Sequence, residues 1–144
     1  MAVSPVPEGF YTVTPYLTVA DASALVDFVT RALGATHVHV MKGPKGEVQH
    51  ADVVIGASHV MIGQARDAAS AMPAMLYLYV ADCDAAYARA IAAGGGSISE
   101  PKTQFYGDRH GAVRDSNGNQ WWLATHVEDV SPEELERRAS HAHG

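Results

Sequence analysis

The sequence predicts an α+β fold made of two copies of one strand–helix module, followed by a C-terminal helix. The hexapeptide Tyr16–Asp21 returns at Tyr77–Asp82 with one residue changed. Each copy leads into an alanine-rich stretch of helical character that stops at glycine, at Gly34 and at 94–96. Alternating strand patterns follow in both halves. Two repeats are too few for a solenoid, so they favour a pseudo-symmetric domain with a groove between its halves.

The first half reads as a strand, a helix and three further strands. Alternation over Phe10–Val19 indicates the first strand, and Asp21 or Ser23 is suited to cap a helix that Gly34 ends. The shorter strands, of which the last two form a β-hairpin, are His37–Met41, Val48–Ile55 and His59–Gly63.

The second half repeats this order after a small-residue linker. A strand over Met75–Val80 precedes a helix over about 83–93, then strands over 97–101, 111–115 and 120–125, with a polar aromatic loop over 104–109. Ser131 and Pro132 begin a terminal helix over about 131–140. We therefore expect one domain over 1–138, with modules at about 10–63 and 74–126, and a flexible tail over 139–144.

Composition excludes several classes of function. The 144 residues match one domain. The net charge of -6 disfavours binding to nucleic acid or to an anionic membrane, which both need a basic surface. Cys83 is the single cysteine, so no intrachain disulfide forms and a reducing compartment is permitted. The N-terminus lacks the pattern of a signal peptide, and we expect a cytoplasmic protein.

Several sequence segments resemble those of a known family, and the resemblance spans roughly residues 8–138. They are Val13–Leu17, His50–Asp52 with Ile55–Gly56 after it, Gln104–Arg109, Leu123–His126 and Glu128–Glu134. With the paired βαβββ modules, they resemble the vicinal-oxygen-chelate superfamily of glyoxalase I, extradiol dioxygenases, fosfomycin-resistance enzymes and bleomycin-resistance proteins. Within it they are similar to the PhnB-like group. The resemblance implies curved mixed sheets around a cavity, helices outside, and a homodimer.

The resemblance also implies where a metal would bind. Relatives that use a divalent ion hold it through four positions, which strand register transfers to Thr14, Met61, Met75 and Trp122. None of these is a usual ligand for a hard divalent ion, which prefers carboxylate or imidazole. We therefore expect neither the family's metal site nor a cofactor.

The same register indicates what lines the cavity. If Thr14 and Met75 face inward, alternation turns the tyrosines of both hexapeptides inward and their leucines and valines toward the helices. The expected ligand-binding residues are Tyr16, His39, His59, Met61, Met75, Tyr77, Tyr79, Tyr106, Arg109 and Trp122. His50 and Asp52 are the candidate catalytic pair, because a carboxylate beside an imidazole can set its tautomer or make it a base.

This aromatic lining predicts a metal-independent protein that binds a planar or cationic small molecule. The first alternative is an enzyme, with a metal at a shifted site of His39, His50, His59 and Asp52 or with metal-free His50–Asp52 chemistry. The second is a structural role in which the repeats serve only dimerisation. Purely structural roles are also open. The tyrosines could fill the core, His50 and Asp52 could be exposed polar residues, and Arg109 could pair with Asp108 or Asp115.

Overall fold

The computed structural model describes residues 2–143 and contains two four-stranded mixed sheets, one for each module. The first module comprises β1 (Tyr16–Val19), α1 (Ala22–Leu33), β2 (Thr36–Lys42), β3 (Val48–Ile55) and β4 (Ser58–Gln64). The second comprises β5 (Met75–Tyr79), α2 (Cys83–Ala92), β6 (Gly96–Thr103), β7 (Asp108–Arg114) and β8 (Gln120–His126), and α3 (Pro132–His143) follows. The predicted α+β fold of two βαβββ modules and a C-terminal helix is confirmed. None of the described helices is long and apolar enough to cross a membrane.

The two sheets have equivalent topology. Their strand orders are β1-β4-β3-β2 and β5-β8-β7-β6, and β1 and β5 each pair in parallel with the last strand of their own module. Tyr16 lies opposite Met61, and Tyr77 lies opposite Trp122, so the duplicated tyrosines occupy the same place in both sheets. β1 and β5 are both edge strands.

The helix starts are duplicated as well. Asp21 caps α1 by accepting a hydrogen bond from the backbone N–H of Ala24 at 3.0 Å. Asp82 caps α2 in the same way, from Ala85 at 3.1 Å. Each carboxylate satisfies a backbone donor that has no partner within its helix. The last residue of each repeated hexapeptide therefore has the same structural role in both modules.

The modules are joined on their helix sides. Leu17 and Val19 of β1 and Leu123 of β8 are buried in one shared core, and Phe28 of α1 packs on Trp121 with ring centroids 6.3 Å apart. The helices α1 and α2 contact each other. The opposite faces of both sheets therefore point away from the shared core, and Tyr16 and Tyr79 there are 54% and 67% exposed.

A buried carboxylate decides which of two adjacent tryptophans enters the core. Asp115, at the end of β7, is 5% exposed and accepts hydrogen bonds from the Trp121 indole at 2.8 Å and the Asn119 side chain at 3.0 Å. It also accepts the backbone N–H groups of Asn117 and Asn119 in the Asn-Gly turn. Because neighbouring strand residues point to opposite faces, burial of Trp121 turns Trp122 to the other side.

Three predicted boundaries were wrong. The first strand begins at Tyr16 rather than Phe10, because Pro15 has no N–H to place in a ladder. The predicted loop over 104–109 is shorter, since Gly107 adopts a positive φ of 97° and lets β7 begin at Asp108. The terminal helix predicted over about 131–140 continues as far as His143, into the segment predicted as a tail, and Gly144 lies outside the described residues.

Candidate ligand-binding site

The exposed side of the second sheet gathers polar and aromatic side chains from three strands. β7 pairs with β8 so that Asp108 lies opposite His126 and His110 opposite Ala124. Since paired residues share a face, these side chains join those of β5 on the side away from the helices. We call this surface the second open face, and it consists of Tyr77, Tyr79, Asp108, His110, Trp122 and His126.

The centre of the second open face is the Asp108 carboxylate, which is 5% exposed. One of its oxygens, Oδ2, accepts the hydroxyl hydrogen bonds of Tyr77 at 2.8 Å and Tyr79 at 2.9 Å. The other oxygen, Oδ1, lies 2.9 Å from Nδ1 of His126. A carboxylate buried this deeply is stable only when its oxygens are paired, and here both are.

The contacts of His126 favour its imidazolium form. Its Nδ1 faces Asp108, and its Nε2 lies 2.7 Å from a carboxylate oxygen of Asp129. Because both partners are acceptors when ionised, the ring satisfies both of them only when both of its nitrogens carry a proton. The hydrogen bond to Asp108, followed by that to Asp129, raises the pKa of His126 above its ordinary value.

The same contacts set the other protonation states. Burial opposes ionisation of Asp108, but the hydrogen bonds from His126, Tyr77 and Tyr79 outweigh it and lower the pKa of Asp108. Burial and the hydrogen bond to Asp108 raise the pKa of Tyr77, and the hydrogen bond to Asp108 raises that of Tyr79. The site at neutral pH therefore holds two neutral phenols around an ionised carboxylate.

Aromatic rings surround this polar centre. Tyr77 meets Tyr79 edge-on at 5.5 Å and His110 at 5.8 Å, and His110 meets Trp122 at 5.3 Å. The hydroxyl of Tyr106, in the loop before β7, lies 2.6 Å from Nε2 of His110. Nδ1 of His110 is buried without a hydrogen-bond partner among the described residues. The result is an aromatic surface with its hydrogen-bonding groups already oriented.

The exposed side of the first sheet carries a different arrangement, which we call the first open face: Tyr16, His50, Asp52, His59 and Met61. Asp52 lies 3.0 Å from Nδ1 of His59, and both side chains are mostly covered. Phe10 of the N-terminal arm stacks on His59 with centroids 3.9 Å apart. This aspartate–histidine pair is therefore capped by an aromatic ring.

The predicted catalytic pair of His50 and Asp52 does not form. The two side chains share a face, as expected, but Asp52 turns to His59 across the hairpin. His50 instead lies beside Tyr16, with ring centroids 5.7 Å apart. His39 lies opposite Asp52 on the outer strand and is exposed.

The tyrosine–histidine contact is itself duplicated. Tyr16 with His50 at 5.7 Å corresponds to Tyr77 with His110 at 5.8 Å. The modules differ beneath the rings. In the first, a Cβ placed on Gly63 would lie 2.6 Å from the Tyr16 hydroxyl, so the glycine makes room for the ring. In the second, Ala124 occupies that place and the Tyr77 hydroxyl reaches Asp108.

A cavity of about 700 Å³ lies between the modules along β5. Its walls are the β3–β4 turn, both sides of β5, and Leu33, Arg89 and Trp121 from the helix side. Of the predicted ligand-binding residues, only Tyr77 and Tyr79 line it. Of the others, Tyr16, His59 and Met61 lie on the first open face and Trp122 on the second, so the predicted set does not surround one cavity within a single chain.

The predicted ligand-binding residue Arg109 lies on neither open face. It occupies the helix-facing side of β7, where its Nε donates to Asp84 of α2 at 3.1 Å. Its local partner is therefore neither Asp108 nor Asp115, the two acids that the sequence suggested. The predicted Met75 lies at the start of β5 and is 60% exposed.

Within the part of the chain whose side chains the structure describes, the donor groups do not gather into a metal site. Among residues 2–142, no three His, Cys, Asp or Glu side chains form a group that could hold an ion. Of the four residues considered for a shifted site, only Asp52 and His59 are in contact. The positions transferred from metal-binding relatives are filled by Thr14, Met61, Met75 and Trp122.

The predicted ligand-binding and catalytic residues omit four side chains of these surfaces, namely Phe10, Asp108, His110 and His126. A loop assignment gives Asp108 no strand parity. Extending the alternation back from Ala112 through His110 would have put Asp108 on the open face. No sequence signal indicated that Phe10 would stack on His59.

Two βαβββ modules, each with one polar-aromatic open face, define a protein of the glyoxalase fold class. The profile of the Glyoxalase/Bleomycin resistance protein/Dioxygenase superfamily matches residues 11–123, and the chain belongs to this superfamily. Protein Rv0887c of Mycobacterium tuberculosis is 31% identical over 138 residues, covering 88% of this chain and 81% of its own. Mb0911c of Mycobacterium bovis is also 31% identical, covering 88% and 91%.

Solved structures have the same fold. TioX from Micromonospora sp. ML1 superposes with a TM-score of 0.71 at 24% identity, covering 81% of this chain and 99% of TioX. A glyoxalase/bleomycin resistance protein/dioxygenase from Nocardioides has a TM-score of 0.62 at 20% identity, covering 92% and 90%. At these identities the likeness establishes the fold alone.

The Asp108–His126 pair predicts a pH-dependent stability. A histidine whose pKa is raised on folding stabilises the fold fully below its unfolded pKa and loses that contribution as pH rises through the folded pKa. We expect His126→Gln to lower the free energy of unfolding at about pH 6 and to do so less at about pH 9. Urea denaturation at several pH values measures both.

The control is the same substitution in an Asp108→Asn background, which lacks the carboxylate that raises the pKa of His126. There the effect of His126→Gln should vary less with pH. An effect that is constant across this range in the native background would contradict the assignment of an imidazolium.

Proposed function

We propose that the protein is a metal-independent small-molecule-binding protein of the glyoxalase/bleomycin-resistance type, and that it binds a planar aromatic ligand on the second open face. The observation that carries this proposal is the Asp108 network. A nearly buried carboxylate orients two tyrosines whose rings remain 40% and 67% exposed. Such preorganised polar groups among aromatic surfaces are typical of small-molecule sites.

Exposure and ring geometry support a planar ligand. Trp122 is half-buried, and Tyr106, which is 36% exposed, contacts the same histidine, His110, as Trp122 does. Each ring face can contribute about 0.5–1.5 kcal/mol of stacking beyond area burial. The tyrosines are not core filler, because the core side of β5 is formed by Leu76 and Leu78.

We also propose a homodimer in which the first open face of one copy covers the second open face of the other. Both faces are exposed in the single chain, and each belongs to a sheet whose first strand is an unpaired edge. A two-fold axis would make this contact twice and close the assembly. The ligand would then lie between Tyr77 of one copy and Tyr16 of its partner.

Two finer assignments accompany the proposal. The phrases around Gln104–Arg109 and Glu128–Glu134 favour the PhnB-like group within the superfamily. The single cysteine, Cys83, is free and buried, which suits a reducing compartment, and we place the protein in the cytoplasm.

Titration with neutral planar compounds, acridine and phenazine, tests ligand binding. We expect a saturable fall in tryptophan fluorescence, because a ligand on the second open face would contact the half-buried Trp122. Trp121 is completely buried and serves as the internal background. In Trp122→Phe, most of the ligand-dependent change should be lost, whereas binding measured by equilibrium dialysis should persist. A linear, unsaturated response to both compounds would count against the proposal.

Sedimentation velocity tests the homodimer. Met75 is 60% exposed at the edge of the second open face, so Met75→Lys would place a charge in the proposed interface. We expect it to weaken the dimer by at least about tenfold, since a buried unpaired charge costs more than 1.4 kcal/mol. Ile91→Lys, on α2 and 38% exposed, is the matched control and should leave the dimer intact. A native protein that sediments as a monomer at micromolar concentration would refute this part.

The alternative is an enzyme of the same superfamily that uses metal-free acid–base chemistry. The Asp52–His59 contact at 3.0 Å favours it, because an aspartate at Nδ1 leaves Nε2 as the reactive atom. Phe10 covers that ring, so Phe10→Ala should open it to substrate. If the protein turns over a compound, and Phe10→Ala increases the rate while His59→Gln abolishes it, the enzyme is supported. If a ligand binds and no turnover is detected, the binding protein is favoured.

A further inference from the structure

The hydrogen bonds of the second open face also determine which kind of planar ligand it accepts. Resting on the proposed function, we infer that the site selects a planar aromatic molecule that carries a hydrogen-bond donor, preferably a protonated ring amine, and rejects the corresponding carboxylate. The protons of the surrounding groups set this preference.

Each tyrosine hydroxyl carries one proton and can accept through its lone pairs. Tyr77 and Tyr79 both direct that proton to Oδ2 of Asp108, at 2.8 and 2.9 Å. An ionised carboxylate has no proton to return. The two phenol oxygens therefore present only lone pairs to a ligand, and a group that meets them must donate.

The other donor groups of this surface are engaged, apart from Nδ1 of His110, which is buried and out of reach of a ligand. The Trp122 indole donates to Oε1 of Gln120 at 3.1 Å. His126 directs both nitrogens to carboxylates, and the Tyr106 hydroxyl is paired with Nε2 of His110 at 2.6 Å. A ligand carboxylate would thus meet the phenol oxygens without a free donor, which leaves it desolvated and unpaired.

The local charge favours the same ligand class. Asp108 and Asp129 each carry a negative charge, and the His126 imidazolium between them carries one positive charge, so the cluster is net negative. The exposed faces of Tyr79 and Trp122 attract a cation further through their ring electrons. Arg109, the nearest arginine along the chain, is turned to Asp84 and does not offset this charge.

A pair of probes with one ring system tests the inference. We would titrate the protein with 9-aminoacridine, a planar cation with N–H donors, and with acridine-9-carboxylate, an anion of nearly equal shape. We expect the amine to bind at least about tenfold more tightly, because a hydrogen bond involving a charged group contributes about 1.5–3 kcal/mol. Isothermal titration calorimetry supplies both dissociation constants.

Two variants connect the preference to these residues. Tyr79→Phe keeps the exposed ring and removes one acceptor, so it should reduce the ratio of the two dissociation constants. Asp108→Asn should reduce it further, since an amide can donate to a phenol oxygen and release the phenol proton toward the ligand. Tyr87→Phe, on α2, removes a hydroxyl that bonds only Ser97 and should change nothing.

The outcomes separate this inference from the function on which it rests. If acridine and both charged probes fail to bind, the proposed function itself is wrong. If the probes bind equally, or the carboxylate binds more tightly, ligand binding stands and the donor preference is refuted. A tenfold preference that survives unchanged in Tyr79→Phe and Asp108→Asn would also refute it, because the selectivity would then arise elsewhere.

Discussion

The constraint on which this structure depends is the alternation of side chains along β1 and β5. Leu17 and Val19 must pack against the helices, because they supply the apolar surface that closes the shared core. Because side chains alternate with a period of two residues, burial of these two directs Tyr16 outward. Burial of Leu76 and Leu78 directs Tyr77 and Tyr79 outward in the same way. A slip of one residue would bury the tyrosines and expose the leucines. The open faces are thus a consequence of how the core is built, and the site needs no separate folding signal.

Much of this architecture could be predicted because it depends on local pattern. The duplicated hexapeptides, the capping aspartates and the glycine at the end of α1 are readable from spacing alone, and the facing of Tyr16, Tyr77 and Tyr79 followed from parity. Side-chain contacts between neighbouring strands were harder to predict from the sequence. Whether Asp52 would meet His50 or His59 depends on side-chain direction across the hairpin, which parity does not specify. Asp108 was hidden for another reason: one positive-φ glycine, Gly107, shortened a loop and moved the aspartate into a strand.

The packing of the modules was also beyond sequence reasoning. A groove between the halves was expected from pseudo-symmetry, with the inward residues of both modules lining it. In the chain, the halves meet through α1, α2 and the Phe28–Trp121 contact, so the two open faces are directed away from their common core. Periodicity specifies which face of a strand is apolar, but not which apolar face will pack against which. This distinction explains how the facing of the duplicated tyrosines could be right while the predicted lining of one cavity was not.

The two modules show how one duplicated surface acquires two kinds of chemistry. Both keep a tyrosine beside a histidine, at 5.7 and 5.8 Å. In the first, Gly63 lets the Tyr16 ring lie close to the sheet, and the neighbouring aspartate pairs with a histidine under Phe10. In the second, Ala124 stands where Gly63 would be, and two phenols converge on a carboxylate at the strand's start. The first carboxylate is paired with an imidazole that an aromatic ring covers, whereas the second orients exposed phenols and acts through them. On the second open face, the tyrosine oxygens therefore present hydrogen-bond acceptors to solvent, while the Asp108 carboxylate that orients them stays buried.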